Sequence, residues 1–310
     1  MSQYYLIPKK LARAYPALGR AAQWLEAVAF RFLFWFIKLF PPEYATGVAA
    51  TAFGWVGPRS LKARKADTNL AIAFPEQSAQ WRQQTSRQIF QHLGRSAAEL
   101  ILLDRIWAER EQRLEFVLQD KARAHIENKD AAVFVTAHVG AWQVTNLLAA
   151  RYDLSVSTVY APESNIAMRE IMLKLRQSLG VKLIATDAGV RPLIRELHNG
   201  DCIGLAMDTR LDSGQLVPYF GRDALTNTSA ARLALRSGAT LMPIRGESLG
   251  KARFRITVYD PIVSSDPDAS MDEQALDITR QINQCFESWI RDTPGQWICL
   301  KRRWPKAHKL

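Results

Sequence analysis

The feature that most limits the fold is an alternation of short apolar runs with helical patterns after residue 130. Strands that alternate with helices form a mainly parallel sheet covered by helices on both faces. The predicted strands are Ala131–Ala137, Ser155–Tyr160, Val181–Ala185, Cys202–Met207, Ala239–Ile244 and Phe254–Tyr259. The predicted helices are Trp142–Arg151, Ile166–Leu179, Val190–His198, Ser229–Ser237 and Met271–Arg291. The chain is therefore predicted to be an α/β protein with a mainly parallel sheet flanked by helices.

The first hundred residues have a different pattern, which is almost wholly helical. Prolines at 41–42 and 75 separate apolar helical stretches, and Ser78 can cap the fourth of them. We therefore expect two regions: residues 1–110, a helical region that contacts a membrane, and residues 111–310, an α/β domain. With 310 residues, 48% of them hydrophobic, the chain is long enough to bury a sizeable core.

The segment Trp24–Phe40 carries seven aromatic residues interrupted by Glu26, Arg31 and Lys38. Its longest aromatic run without a charge, residues 32–37, is far too short to span a bilayer as a helix. Basic residues within an aromatic helix are typical of a segment that lies in the membrane interface. An ordinary core-facing helix is the alternative. The residues expected to contact the membrane are Trp24, Phe30, Phe32, Phe34, Trp35 and Phe36.

The formal net charge of +11 favours an anionic partner, such as nucleic acid, anionic lipid headgroups or an acidic carrier protein. The basic residues are scattered, and no aromatic-and-basic motif for nucleic acid can be placed. We therefore expect an anionic membrane surface as a partner and no nucleic acid. The three cysteines show no ligand spacing, and no nucleotide motif is present, so we expect no metal and no cofactor.

His138 directly follows the first predicted strand, and Gly140 comes just after it. In open α/β sheets, functional side chains lie beyond the carboxyl ends of the strands. A histidine there can act as a general base, although a histidine held in a turn is the plain alternative. Gln143 lies five residues later, where its amide can hydrogen-bond the imidazole but brings no negative charge.

Asp208 and Arg210 follow the strand Cys202–Met207 and are expected at the same sheet edge as His138. Thr228 and Ser229 precede a predicted helix, whose free backbone amides can bind an anion or an oxyanion. Each feature also has a plain reading. Asp208 and Arg210 can form a surface ion pair, and Thr228 or Ser229 can simply cap the helix.

A third group surrounds the predicted helix Ile166–Leu179. It comprises Glu163, Asn165, Arg169 and Arg176. The two arginines are seven residues apart and share a helix face, where they can bind a phosphate. A solvated basic helix is the alternative.

Several motifs together resemble the bacterial lipid A late acyltransferases, which belong to the lysophospholipid-acyltransferase-like superfamily. The most specific are the long segment MDTR…VPYFGR…TSAARLALRSGATLMPI, from residue 207 to 244, and PGQWICLKRRW near the end. HVGAWQ, Asn165 with the downstream arginines and Gly180, ADTNLAIAFPE and QHLGRSAAEL also match, so the resemblance runs from about residue 28 to 304.

The resemblance implies an enzyme that moves a fatty acyl chain from an acyl carrier protein to a hydroxyl of a glycolipid, such as a lipid A precursor. It implies a peripheral or monotopic protein on the cytoplasmic face of the cell inner membrane. It assigns the general base to His138, and it matches Arg176 and Asp208 to charged positions of the family. Gln143 stands where the family has glutamate or aspartate, so Asp208 or Glu163 would have to supply the negative charge. The amides near Gly140 or residues 227–229 would stabilise the oxyanion.

An alternative follows from Gln143. A protein that lacks the acidic residue of the family can be a catalytically weak or inactive relative that binds lipid. Such a protein would bind glycolipid or acyl chains without forming a product.

Overall fold

The computed structural model describes residue 11 and residues 14–162, 166–177 and 180–305. Six helices come before the first strand: α1 (Pro16–Lys38), α2 (Pro42–Val56), α3 (Leu61–Ala73), α4 (Ala79–Ile101), α5 (Leu103–Ala108) and α6 (Arg110–Arg113). The prediction that the N-terminal part is helical is confirmed. Ser78 caps α4 by accepting a hydrogen bond from the backbone N–H of Trp81 at 3.1 Å.

The remainder of the described chain alternates strands and helices. The strands are β1 (Leu114–Leu118), β2 (Ala132–Thr136), β3 (Val156–Tyr160), β4 (Lys182–Ala185), β5 (Cys202–Ala206), β6 (Arg210–Tyr219), β7 (Arg222–Thr226), β8 (Thr240–Gly250) and β9 (Arg253–Val258). The helices are α7 (Asp120–Glu127), α8 (Leu147–Tyr152), α9 (Ile166–Gln177), α10 (Arg191–His198), α11 (Ser229–Ser237) and α12 (Met271–Asp292). The α/β prediction is confirmed.

Seven strands form one sheet in the order β1-β9-β8-β2-β5-β3-β4. All neighbours are parallel except β8 and β9, so β1 and β9 run against the other five strands. The carboxyl ends of β2, β5, β3 and β4 therefore meet at one edge of the sheet.

The core occupies both faces of the sheet. Along β2, Val133 and Val135 pack on one face with α4, α11 and α12, whereas Ala132 and Phe134 pack on the other face with α5, α7 and α8. A strand buried on both faces has no polar alternation, and β2 is apolar until its final threonine.

Three expectations about secondary structure were wrong. β1 was not predicted, and neither was the two-stranded hairpin of β6 and β7. The helix predicted from Trp142 begins only at Leu147, after an irregular turn and a short 3-10 segment at Val144–Asn146. The backbone there is redirected because Gly140 has a φ of 60°. The predicted residues 178–179 of the helix after residue 165 lie outside the described residues.

After α12 the chain returns to the sheet edge through residues 294–304, a short 3-10 turn at Pro294–Gln296 followed by an irregular segment, which we call the C-terminal strap. Asn69 of α3 fastens it with three hydrogen bonds. Its amide donates to the carbonyls of Cys299 at 2.8 Å and Lys301 at 2.7 Å, and its carbonyl accepts from the backbone N–H of Arg303 at 3.1 Å. The strap is thereby held against the N-terminal helices.

Candidate active site

The register of the sheet brings His138 and Asp208 together. Thr136 of β2 lies opposite Ala206 of β5, and each of the two polar residues follows its strand by two positions. Asp208 Oδ1 accepts a hydrogen bond from His138 Nδ1 at 2.6 Å. The Asp208 side chain is only 3% exposed, whereas that of His138 is 31% exposed. The pair therefore has a buried acid and an imidazole that is open to solvent.

Trp297 of the C-terminal strap completes the surroundings of the acid. Its Nε1–H donates to the other carboxylate oxygen, Asp208 Oδ2, at 3.1 Å. Burial alone would raise the pKa of Asp208, but the imidazole and the hydrogen bonds hold this pKa below its usual value. Burial favours the neutral form of His138, yet the Asp208 carboxylate outweighs it and raises the pKa of His138. The geometry is that of a carboxylate that orients and supports a basic histidine.

The turn that carries His138 is held from three sides. The backbone N–H of Ala141 donates to the carbonyl of Gly246 in β8 at 2.7 Å, and Ile298 of the strap donates to the carbonyl of His138 at 2.8 Å. A Cβ atom on Gly246 would collide with the backbone of Ala141. These contacts fix the position of the His138 backbone.

His92 of α4 provides the third contact. Its Nε2–H donates to the carbonyl of Gly140 at 2.8 Å. Burial lowers the pKa of His92 to about 4, so this imidazole is neutral at physiological pH. His92 thus supports the turn that carries His138 through a hydrogen bond and adds no charge to the site.

An apolar cavity of about 340 Å³ opens beside His138. Its walls come from β2, β3, β8, α4, α8 and α9 and include Leu100, Phe134, Leu148, Val156, Met172 and Ile244. Gln143 and Arg176 also line it, and the Arg176 guanidinium lies 5.3 Å from the ring centre of Tyr160. An apolar cavity with few polar groups near a basic histidine suits an acyl chain.

The structure does not show the expected hydrogen bond between Gln143 and His138. Within the described residues, the half-buried Gln143 side chain makes no hydrogen bond, and Asp208 occupies the Nδ1 side of the imidazole. Glu163 and Asn165 lie outside the described residues, and Arg169 is exposed on α9. The roles of these residues in catalysis and binding stay predictions.

A second, open groove of about 1020 Å³ meets the other side of His138. Arg210 and Ser229 line it, so these predicted residues do share the sheet edge with the pair. Arg210 forms its ion pair with Asp212 at 2.7 Å rather than with Asp208. The simple surface pair of Asp208 and Arg210 is therefore not what forms.

Two of the backbone amides expected to stabilise an oxyanion, those of Gly140 and Ser229, are already engaged. The N–H of Gly140 donates to Gln296 at 3.3 Å, and that of Ser229 donates to the side chain of Asn227 at 2.9 Å. Thr228 does not cap α11, since its hydroxyl instead accepts from Arg232 at 3.2 Å. Asn227, not Thr228 or Ser229, supplies the capping oxygen.

The aromatic residues of α1 lie mostly on its outer face. Trp24, Phe32, Trp35 and Phe36 are exposed, and Phe30 and Phe34 are half-buried. The residues of α1 that are buried are Gly19, Ala22, Glu26 and Ala27, which are mostly small. The exposed aromatics of α1 therefore do not serve a core-facing role. No helix in the described part of the chain is long and apolar enough to cross a membrane.

Comparison with known proteins identifies the class of this arrangement. The family model described as bacterial lipid A biosynthesis acyltransferase matches residues 9–306. The chain belongs to this family. It is therefore an acyltransferase, and the resemblance noted in the sequence is confirmed.

The relatives are distant. A lipid A biosynthesis acyltransferase of Haemophilus influenzae is 22% identical, over 79% of this chain and 77% of that protein. A lipid A biosynthesis myristoyltransferase of Escherichia coli is 23% identical, over 87% and 84%. A phosphatidylinositol mannoside acyltransferase of Mycobacterium tuberculosis is 24% identical, over 56% and 54%. The structure of a 1-acyl-sn-glycerophosphate acyltransferase from Thermotoga maritima aligns with a TM-score of 0.38 and 12% identity, over 79% of this chain and 97% of that one.

Three residues of the site were not singled out from the sequence: His92, Trp297 and Asn69. His92 and Asn69 lie inside motifs that were quoted for the family, and Trp297 lies in its closing motif. Their motifs were visible, but only the fold brings them to His138 and Asp208.

Proposed function

We propose that the protein transfers a fatty acyl chain from an acyl carrier protein, or from acyl-CoA, to a hydroxyl of a glycolipid such as a lipid A precursor. The observation that carries this proposal is the His138–Asp208 pair, which lies between an apolar cavity and an open groove. The acyl chain of the thioester enters the cavity, and the acceptor approaches from the groove.

In this mechanism, His138 takes the proton of the acceptor hydroxyl as its oxygen attacks the thioester carbonyl. The new C–O bond forms, the C–S bond breaks, and the imidazolium returns the proton to the departing sulfur. Asp208 holds the imidazole in the required tautomer and stabilises its positive charge. No metal or cofactor takes part in these steps.

Gln143 takes a role that differs from the one expected from its sequence position. Its amide carries two N–H donors, lines the cavity with His138, and has no hydrogen-bond partner within the described residues. Since it faces the same cavity as His138, the Gln143 side-chain amide is a donor for the oxyanion of the tetrahedral intermediate.

Substituting Gln143 with glutamate distinguishes two hypotheses. In one, Gln143 is a hydrogen-bond donor to the oxyanion; in the other, the site is weak because Gln143 replaces an acidic residue. A carboxylate would repel the oxyanion, so Gln143→Glu is expected to lower kcat by about 10²-fold or more, the loss typical of one oxyanion donor. Turnover that rises in Gln143→Glu would show instead that the site lacks an acid. Gln296→Glu is the control for a new charge on the nearby strap.

The acceptor is assigned as a glycolipid because of the relatives. Those from Haemophilus influenzae and Escherichia coli are named for lipid A, and the mycobacterial one for phosphatidylinositol mannoside. All three names refer to a glycolipid. The predicted substrate-binding residues, Glu163, Asn165, Arg169, Arg176, Arg210, Thr228 and Ser229, belong to this proposal.

The outer face of α1 supports a peripheral or monotopic position on the cytoplasmic face of the inner membrane. Large exposed aromatic side chains are rare on a soluble surface and suit the headgroup region. In this proposal, residues 1–110 form the membrane-associating region and residues 111–310 form the acyltransferase domain. Flotation with anionic liposomes tests it. A Trp24→Ser, Phe32→Ser, Trp35→Ser variant is expected to lose binding, whereas Val263→Ser, at an exposed site on a loop, retains it.

The reaction itself is tested by acyl transfer from acyl carrier protein to lipid A precursor. His138→Ala is expected to lower turnover by about 10²–10⁴-fold, the range for loss of a general base. Wild-type turnover in His138→Ala would disprove the assignment of the base. Binding of acyl chains by the wild-type protein without any product would favour the lipid-binding alternative. That alternative rested on the missing acid at Gln143, and Asp208 supplies the negative charge.

A further inference from the structure

The walls of the open groove beside His138 carry an unusual concentration of positive charge. Two segments separated in sequence meet β6 at the outer end of the groove: α3 and the C-terminal strap. They bring together the residues that we call the cationic rim, namely Lys62, Lys65, Arg210, Lys301 and Arg302. Four of them, Lys65, Arg210, Lys301 and Arg302, also line a shallower extension of about 650 Å³, together with the Asp212 carboxylate that pairs with Arg210.

Four of the five charges of the rim are not neutralised by a described residue of the protein. Within the described residues, Arg210 is the rim member with an ion pair, which it makes to Asp212. Lys62, Lys65, Lys301 and Arg302 make no ion pair with any described residue. Like charges gathered in this way repel one another, so the arrangement is favourable only with an anion.

Arg303, the residue that follows Arg302 in the strap, has a structural role and provides a comparison. It is buried, and its guanidinium donates to the carbonyl of Leu225 at 3.0 Å and to the hydroxyl of Thr226 at 2.7 Å. Arg302 has no such contacts and is half-exposed to the groove. The rim cations are therefore available to a ligand, whereas Arg303 fixes the strap.

We propose that the cationic rim binds a phosphate group of a substrate whose reacting atom lies at His138. This inference rests on the proposed acyl transfer and names the chemistry that its groove recognises. A guanidinium binds phosphate through two parallel N–H donors, and lysines add point charges, so Arg302 and Arg210 with Lys65 and Lys301 match a phosphate dianion.

A phosphate suits the rim better than the face of an acidic protein does. The rim is concave and continuous with the groove that ends at His138 and Asp208, whereas protein surfaces dock on flatter patches. The Lys301 charge also reaches the reaction centre, because it acts to lower the pKa of His138. A group bound at the rim is thus electrically coupled to the base.

The phosphate has two possible sources within the reaction. One is the phosphopantetheine arm of the acyl donor, and the other is a phosphate on the headgroup of the acceptor. The experiment therefore has two arms. The donor arm compares acyl-phosphopantetheine with acyl-pantetheine, and the acceptor arm compares a phosphorylated glycolipid with its dephosphorylated form.

The test variants are Lys65→Gln and Arg302→Gln, with Lys121→Gln and Arg253→Gln as exposed basic controls on other faces. In one arm, each test variant is expected to raise KM by roughly tenfold for the phosphate-bearing substrate, while kcat stays within about twofold, as for a contact made equally in the ground and transition states. KM for the phosphate-free counterpart stays unchanged. The arm that responds identifies the source.

A rise in KM that is equal for the phosphate-bearing and phosphate-free substrates, or no rise in either arm, would overturn the proposal. Failure of the proposed function has a different signature. If the wild-type protein transfers no acyl group, calorimetric titration with phosphopantetheine and with the phosphorylated headgroup still measures phosphate binding at the cationic rim. Binding that weakens roughly tenfold in Arg302→Gln and not in Lys121→Gln supports the phosphate site, and no binding in the wild type refutes it.

Discussion

Replacing Asp208 with asparagine removes one negative charge while keeping the shape of the buried side chain. The asparagine oxygen can still accept from Trp297, but the group facing His138 Nδ1, now 2.6 Å away, is neutral. The variant therefore tests the charge of Asp208 rather than its volume.

The size of the effect follows from two contributions. A hydrogen bond to a charged group contributes about 1.5–3 kcal/mol, and loss of support for the imidazolium in the transition state costs a comparable amount. A total of about 3–6 kcal/mol corresponds to a decrease in kcat/KM of roughly 10²–10⁴-fold, at 1.36 kcal/mol for each factor of ten. The same change in a Ser-His-Asp triad lowers turnover by about 10⁴-fold.

The assay is kcat/KM for acyl transfer measured between about pH 5 and pH 9, where the free enzyme's base titrates. Activity requires neutral His138, so it is lost as pH falls through the pKa of that imidazole. Asp208 raises this pKa, and its replacement is expected to move the acidic limb of the profile to lower pH while lowering the plateau. Asp187→Asn, an exposed acid at the same sheet edge, is the control.

Two results would refute this reasoning. One is a plateau within about threefold of the wild-type value, a difference below 1 kcal/mol. The other is a lower plateau with an acidic limb that stays in place, because it would mean that Asp208 does not set the pKa of the catalytic base.

Three further predictions concern stability and the turn beneath His138. Gly246→Ala is expected to destabilise the fold by about 1–3 kcal/mol in urea unfolding, since its Cβ collides with the Ala141 backbone, and to reduce activity more than Gly47→Ala in open space. Burial lowers the pKa of His92 to about 4, so the folded state is destabilised as pH falls below 6.5. The wild-type protein is expected to lose about 2 kcal/mol of its free energy of unfolding between pH 7 and pH 5, and His92→Gln is expected to abolish this loss. Burial raises the pKa of Glu99 to about 8, so ionisation of this carboxyl opposes folding above pH 4.5. Glu99→Gln is therefore expected to raise the free energy of unfolding by about 3 kcal/mol at pH 7 but by only about 1 kcal/mol at pH 5. A stability gain in Glu99→Gln that is independent of pH would contradict a buried, titrating carboxyl.

The sequence was sufficient for six of the seven strands of the main sheet and for the edge where β2 and β5 end. A strand such as β2, apolar on both faces, is legible because burial on both sides removes polar alternation. The placement of the polar candidates could be predicted for the same reason, since polar residues that follow buried parallel strands lie at one edge. His138 and Asp208 were found in this way, and their pairing needed only the parallel register of β2 and β5.

What escaped prediction depends on contacts between distant segments. β1 pairs with β9 across more than a hundred residues, and nothing local distinguishes it from a helical neighbour. The roles of Trp297 and Asn69 depend on the path of the C-terminal strap, and the hydrophobic periodicity of the sequence does not predict that path. Gln143 was expected to orient His138 from its spacing alone, yet Gly140 turns the chain so that Asp208 takes that position.

The C-terminal strap is synthesised after the rest of the site, so the site is completed late during translation. Asp208 and the indole that holds it are 89 residues apart, and synthesis at about 5–20 residues per second separates them by roughly 5–20 s. During that interval the nascent chain already contains both members of the pair and the central strands β2 and β5, while the carboxylate lacks its second donor. A chain that ends before Trp297 therefore contains His138 and Asp208 but lacks the indole that donates to Asp208 Oδ2.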